Sequence, residues 1–272
     1  MGRVKDERSL HGRTALVTGT SRRAGIGYAV AARLASMGAS LVLHHHRAHD
    51  ADQPWGEDPL EDVRAGIQER LAPGARLFDI GADLADPQAP AGVIERAGGL
   101  AGHLDILVCN HARSGGDGTL ADIGAEALDG HWAVDARSTL LLTKAFAAQH
   151  DGRDGGRVIW MTSGQQHGPM RGEVAYAAAK AALAGVTATV ADELADQGIL
   201  LNTVNPGPVN TGYLSPGMGI PDDVLEDLRA RFPAGRFGEP DDPARLIAWL
   251  VSDEGRWMTG QVLHTEGGFR RF

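Results

Sequence analysis

Short apolar runs recur along the chain: TALVT at 14–18, SLVLH at 40–44, RLFDI at 76–80, ILVC at 106–109, VIWMT at 158–162, ILLNTV at 199–204 and QVLH at 261–264. They are rich in β-branched residues and mostly do not alternate with polar positions, as strands buried on both faces require. Between them, 25–37, 60–71, 123–149, 174–197 and 241–252 carry helical periodicity. This alternation predicts a doubly wound α/β fold, a seven-stranded parallel sheet flanked by helices. No repeat, low-complexity tract or Pro/Gly-rich linker divides the chain, so its 272 residues predict a single domain over 1–272. Two segments break the pattern. RAHDADQPWGEDP, from Arg47 to Pro59, is polar and predicts an extended loop. From Gly212 to Pro233, GYLSPGMGIP leads into the amphipathic DDVLEDLRARF, which predicts a flap at 212–233 over an active site.

Charge and composition narrow the function. The formal net charge is −9 with no long basic run, which argues against nucleic acid as a partner. The single cysteine, Cys109, excludes an internal disulfide and lies in an apolar run, as a buried thiol in a reducing cytoplasm would. No apolar stretch is expected to approach the roughly 20 residues that span a bilayer. The N-terminus, MGRVKDERSLHGR, is charged without a hydrophobic region, so neither export nor a membrane is expected. His44, His45 and His46 are consecutive on a strand and alternate faces, so no metal site is expected there.

Two groups of residues carry chemistry. Directly after the first strand, Thr18 to Gly27 reads TGTSRRAGIG and leads into a helix. Glycines in that place let the backbone approach a pyrophosphate at the helix N-terminus, which makes Gly19, Ser21, Arg22, Gly25, Ile26 and Gly27 candidate cofactor residues. A site for NAD usually ends its second strand on an acidic residue. Here that strand ends in histidines followed by Arg47, and Arg22, His46 and Arg47 are instead suited to a 2′-phosphate. NADPH is therefore the preferred cofactor, with NADH possible. The second group is Tyr176 and Lys180, four apart and so on one helix face, with Ser163 ending a strand upstream. A free Tyr titrates near about 10, and a neighbouring ammonium favours its phenolate. The chain has only three lysines, Lys5, Lys144 and Lys180, among 26 basic residues, and Arg does not replace a compact ammonium.

Taken together, TGTSRRAGIG, Asp83-Leu84, Asn110-His111-Ala112, Ser163, Tyr176 with Lys180, Asn205-Pro206-Gly207 and the terminal TGQVLHTEGG resemble the short-chain dehydrogenase/reductase family in order and spacing. The match spans nearly the whole chain and is most similar to the 3-oxoacyl-[acyl-carrier-protein] reductase-like branch, particularly members with an extended glycine loop and a PWG segment. The resemblance implies a Rossmann-type fold in which Ser163 polarises a carbonyl, Tyr176 supplies the proton, and Lys180 lowers the Tyr pKa and holds the nicotinamide ribose. It places Asp83 and Leu84 near the adenine, Asn110, His111 and Ala112 along the adenosine side, and Pro206, Gly207, Val209 and Thr211 over the nicotinamide. Gln165, His167, Met170 and Tyr213 are candidates for the substrate pocket.

Three departures qualify it. Five residues separate Gly19 from Gly25, so the loop must bulge by two. Arg113 stands where the family has Gly. Asp135 stands where the family has an Asn that supports a water linked to the Lys, and a carboxylate there predicts a relay with altered pH dependence. The implied function is NADPH-dependent reduction of a ketone, foremost a 3-oxoacyl thioester. The other readings are an NAD-dependent dehydrogenase of a secondary alcohol and a cofactor-binding regulator without turnover. Retention of Ser163, Tyr176 and Lys180 speaks against the regulator. Enoyl reductase relatives separate Tyr and Lys by a longer interval, so the three-residue gap favours carbonyl reduction. Family members commonly pair the helices at 123–149 and 174–197, which implies a homotetramer.

Overall fold

The computed structural model describes residues 9–218 and 220–271; the stretch before Ser9 and position 219 of the expected flap lie outside them. Seven strands form, β1 (Thr14–Val17), β2 (Ser40–His45), β3 (Leu77–Gly81), β4 (Ile106–Cys109), β5 (Gly156–Met161), β6 (Ile199–Asn205) and β7 (Val262–His264). They lie in the order β3-β2-β1-β4-β5-β6-β7, and every neighbouring pair is parallel. Every residue of β1, β4 and β5 is buried, which is why those runs show no polar alternation. The chain order reverses between β1 and β4. In open parallel sheets the crevice beyond the carboxyl ends of the strands at such a reversal is where ligands bind.

Apolar faces cover the sheet on both sides. On one, Val30 and Leu34 of α1 (Ile26–Ser36) and Ile247 and Val251 of α9 (Asp241–Val251) pack with Ala15, Val17 and Val108. On the other, Val93 and Ala97 of α4 (Ala89–Ala101), Phe146 of α6 (Ser138–Gln149) and Leu183 of α7 (Val174–Ala195) pack with Leu16, Leu107 and Val158. Trp160 is fully buried in that second layer, and its indole N–H donates to Thr143 Oγ1 at 2.9 Å.

The elements depart from the sequence expectation at five places. Helix α4 is not among the predicted helices; it contains Pro90, Gly92, Gly98 and Gly99, whose low propensity hides a helix that packing stabilises. The expected helix at 123–149 is interrupted: α5 (Ala125–His131) and α6 are joined by a π-helical stretch, Trp132–Arg137. Within the expected loop after β2 the chain forms a short helix, α2 (Arg47–Ala51), before α3 (Leu60–Gln68). Within the expected flap, α8 (Asp222–Ala230) is seated by Leu225 on a small cluster with Leu214, Phe232 and Phe237, so this part is a packed cap. Finally, α7 is long and apolar enough to cross a membrane by length and composition, contrary to expectation. Its Lys180, Leu183, Thr187 and Leu194 are instead buried within the molecule.

Candidate active site

The crevice at the strand-order reversal is lined first by the glycine loop. Gly19 has φ of 70°, a region that favours Gly, and a Cβ there would stand 2.9 Å from Asn110 Nδ2. A Cβ on Gly27 would stand 2.4 Å from the Gly19 carbonyl oxygen, so the first turn of α1 lies directly against the loop. Asn110, just past β4, donates its amide to the carbonyls of Thr18 and Gly19, each at 3.1 Å. The two extra residues are taken up by a tight turn closed by Gly25 N–H on Arg22 O at 3.1 Å. Ser21 is buried, and Ile26 packs onto the core as α1 begins. This cradle of close backbone approach fits a dinucleotide pyrophosphate.

Beyond β2 the basic residues have separate fates. Arg22 pairs with Asp50 at 3.0 Å, donates to Thr211 O at 2.9 Å and lies 5.1 Å above the Trp55 ring. It ties together the glycine loop, α2 and the segment after β6, with its Nε and Nη2 engaged within the protein. Arg47 pairs with Glu57 at 2.7 Å, but its Nε is buried without a partner. An orphaned guanidinium donor at the end of β2, next to His46, fits the 2′-phosphate of NADP. The three consecutive histidines diverge, as the strand alternation predicts. Burial lowers His44 to about 4, and its ring lies between Gly19 N–H and Ala82 O. His45 meets Asp79 at 3.4 Å, and His46 precedes α2.

Past β3, Asp83 is exposed and accepts from Ala85 N–H at 2.9 Å, with Leu84 buried beside it. Ala112 is partly exposed, but His111 turns inward instead of lining the cofactor crevice. Its ring bonds Thr18 Oγ1 at 2.7 Å and Ser138 Oγ at 2.6 Å, and burial holds it neutral, well below the ordinary His range. After β6, Pro206 is partly exposed and Gly207 adopts φ of 71°, a Cβ there meeting Glu266 Cα at 2.8 Å. Val209 is buried and bridges to Gly238, and Thr211 supplies its carbonyl to Arg22.

The catalytic candidates converge at the ends of β4 and β5. Ser163 follows β5, and Tyr176 and Lys180 face it from α7. Lys180 is buried; its Nζ donates to Met161 O at 3.2 Å, lies 4.0 Å from Asp135 Oδ1 and stands 5.6 Å from the centre of the Tyr176 ring. The expected lowering of Tyr176 by Lys180 is reversed in this arrangement. Burial, then the charge of Asp135, push the phenol above its ordinary value, and a hydrogen bond with Ser163 only partly opposes them. Burial likewise lowers Lys180, against the pull of Asp135. Tyr176 is thereby kept as a protonated donor beside the Ser163 hydroxyl.

Among the substrate candidates, Met170 adjoins this centre, its Sδ 3.6 Å from Ser163 Oγ; Tyr213 is near enough for its charge to act on Tyr176, and burial raises its own phenol to about 12. Gln165 turns back toward the sheet, 3.1 Å from Thr162 Oγ1. His167 is exposed and pairs edge-on with His264, ring nitrogens 2.8 Å apart. Arg113 contributes through its backbone, its N–H donating to Asp135 Oδ1 at 2.8 Å. Two residues escaped the sequence pattern. His131 bonds Asp135 Oδ2 at 2.9 Å, and Asp117 accepts from the N–H groups of Ala175 and Tyr176 at 3.0 and 2.8 Å, which fixes the start of α7. The i, i+4 spacing of His131 and Asp135 was the one signal for the first; nothing in the sequence marked Asp117.

Fold and site define an NAD(P)-dependent oxidoreductase. A family model described as enoyl-(acyl carrier protein) reductase matches residues 19–270. The chain is 40% identical to an uncharacterized oxidoreductase of Bacillus subtilis across 94% of this chain and 96% of that one. It is 33% identical to the 3-oxoacyl-[acyl-carrier-protein] reductase of Escherichia coli across 96% of this chain and 98% of that one. A solved short-chain dehydrogenase from Burkholderia cenocepacia in complex with NADP superposes with a TM-score of 0.81 at 35% identity, covering 95% of this chain and 98% of that one. The chain belongs to the short-chain dehydrogenase/reductase family.

Proposed function

We propose that the protein is an NADPH-dependent ketoreductase whose substrate is a 3-oxoacyl thioester or a closely related ketone. The observation that carries this reading is the convergence of Ser163, just past β5, with Tyr176 and the buried Lys180 of α7, which sets a hydroxyl, a protonated phenol and an ammonium around one place for a carbonyl. The bound nicotinamide would supply the hydride. Ser163 would hold the carbonyl oxygen from one side while Tyr176 delivers the proton from the other, and Lys180, anchored on Met161 O, would steady the ribose. The 3-oxoacyl-[acyl-carrier-protein] reductase of E. coli supports the substrate class, and the NADP-bound relative supports the cofactor.

The family model's description favours a second reading, reduction of an enoyl thioester. The three-residue gap between Tyr176 and Lys180 supports carbonyl reduction instead. The test is turnover of the purified protein with NADPH or NADH on a 3-oxoacyl thioester, a panel of simple ketones and an enoyl thioester, and with NADP+ or NAD+ on a secondary alcohol. Ketone reduction with NADPH is the expected outcome; strict use of NADH, or turnover confined to the enoyl substrate, overturns the reading.

The orphaned Arg47 Nε makes a sharper cofactor prediction. Arg47→Ala is expected to raise the KM for NADPH about tenfold, the scale of one charge-assisted phosphate contact, while leaving the KM for NADH within about twofold. Equal effects on both cofactors would remove Arg47 from the 2′-phosphate site. A homotetramer is proposed as well. Leu128 and Trp132 are 41% and 46% exposed, and they border a shallow groove with Ala175, Ala178 and Ala179, an apolar face suited to a second copy. Trp132→Glu is expected to shift the assembly to dimers or monomers in light scattering with folding retained. A buried, unpaired Cys109 fits the reducing cytoplasm proposed for the protein.

A further inference from the structure

His131 ends α5 and Asp135 stands one turn on in the π-helical stretch; both are fully buried. His131 Nδ1 is 2.9 Å from Asp135 Oδ2, while Nε2 is 3.2 Å from the Gly115 carbonyl oxygen and 4.0 Å from Asp117 Oδ2. The other Asp135 oxygen accepts from Arg113 N–H at 2.8 Å and lies 4.0 Å from Lys180 Nζ. These neighbours of the two imidazole nitrogens are all acceptors. A neutral imidazole has one N–H and one lone pair, so it would set a lone pair against a carboxylate or a carbonyl. The imidazolium satisfies both contacts. With an amide at position 135 the requirement inverts: the amide NH2 would face Nδ1, and an imidazole protonated on Nε2 alone would satisfy every partner. Carboxylate with imidazolium and amide with imidazole carry the same net charge and differ by one buried proton.

We propose that His131 is a positioning residue, protonated to hold Asp135 as a carboxylate beside Lys180, so that positions 131 and 135 act as one charge-neutral unit behind the Tyr176–Lys180 pair. Removing one member of such a buried pair leaves an uncompensated charge, whereas removing both does not. The other groups around the unit are Asp117 and Arg113 from the loop after β4, Glu173 before α7, the Tyr176 ring 6.0 Å from the imidazole and edge-on to it, and His49 of α2, which feels the Asp135 charge. Burial works upward on Asp117, but the N–H groups of Tyr176, Ala175 and Gly118 outweigh it and hold its carboxyl below the ordinary range, so it stays a second anion near His131. Without the imidazolium the Asp135 charge stands unbalanced: it raises the Tyr176 phenol further, which makes it a weaker proton donor, and fixes the Lys180 ammonium, so the rate falls.

Two measurements test this, and only the second rests on the carbonyl-reductase reading. Nitrogen-15 NMR of histidine-labelled protein is expected to give His131 the signature of two protonated nitrogens in the wild type at neutral pH, and of a single tautomer in Asp135→Asn. A neutral His131 in the wild type overturns the proposal. In the kinetic arm, His131→Phe is expected to lower kcat about tenfold or more in the Asp135 background, but by no more than about threefold in the Asp135→Asn background, a coupling of the size contacting buried groups give. The KM for NADPH is expected to hold within about twofold, and the alkaline limb of the wild-type profile is expected to shift in Asp135→Asn. Equal losses in the two backgrounds, or an unchanged alkaline limb, overturn the proposal. Should His131→Phe fail to fold, NMR of the wild type and Asp135→Asn decides alone. A wild type that reduces none of the ketones overturns the functional reading, and the protonation state of His131 read by NMR still decides the proposal.

Discussion

Tyr176→Phe is expected to lower kcat/KM for ketone reduction by about a thousandfold, within the range that loss of a positioned general acid gives. The phenol oxygen is the proton source in the proposed reaction, and among the described residues no other donor shares its place beside Ser163. The ring itself packs edge-on to His131 and beneath the Lys180 ammonium, and Phe keeps both contacts. Fold, melting temperature and NADPH affinity are therefore expected to stay close to wild type, so the loss falls on kcat. Steady-state kinetics combined with cofactor fluorescence titration make the check. A variant retaining more than about a tenth of wild-type kcat would mean that the proton comes from elsewhere.

Gly27→Ala is expected to damage both stability and cofactor binding. The added Cβ would lie 2.4 Å from the Gly19 carbonyl oxygen, a backbone atom with no freedom to rotate away. Either α1 lifts from the loop or Gly19 shifts, and Gly19 is itself held by the Asn110 amide at 3.1 Å. Overpacking of this kind costs about 1–3 kcal/mol, which for a chain of this size lowers Tm by several degrees. Because the displaced backbone is the surface proposed to meet the pyrophosphate, NADPH affinity is expected to fall about tenfold or more. Thermal unfolding with and without NADPH reads both effects. A variant with unchanged Tm and unchanged cofactor-induced stabilisation would exclude Gly27 from the cradle.

The sheet was legible because its strands are buried on both faces, so the apolar runs at 106–109 and 158–162 stand out whatever lies around them. Helix α4 was not, since a segment rich in Gly and Pro is helical only where the sheet gives it a surface to pack on. The apolar α7 was misjudged for a related reason: its Ala-rich sequence is uniform, and only packing separates its buried face from its exposed one. The glycine loop, Ser163, Tyr176 and Lys180 were legible as motifs, because the short-range spacing that chemistry needs is also spacing along the chain.

What the sequence by itself determined was the identity and order of the candidate catalytic groups, together with the unusual Asp135. Only the tertiary structure decided what surrounds them. Asp50 and the Thr211 carbonyl take two of the Arg22 donors that local spacing offers to a phosphate, and Thr18 and Ser138 draw the His111 ring inward. The direction of the Tyr176 shift depends on burial and on a carboxylate 41 positions earlier in the chain, neither of which local spacing conveys. Protonation in a buried site is set by every neighbour brought to it, and the chain brings His131, Asp135, Asp117 and Lys180 together only by folding.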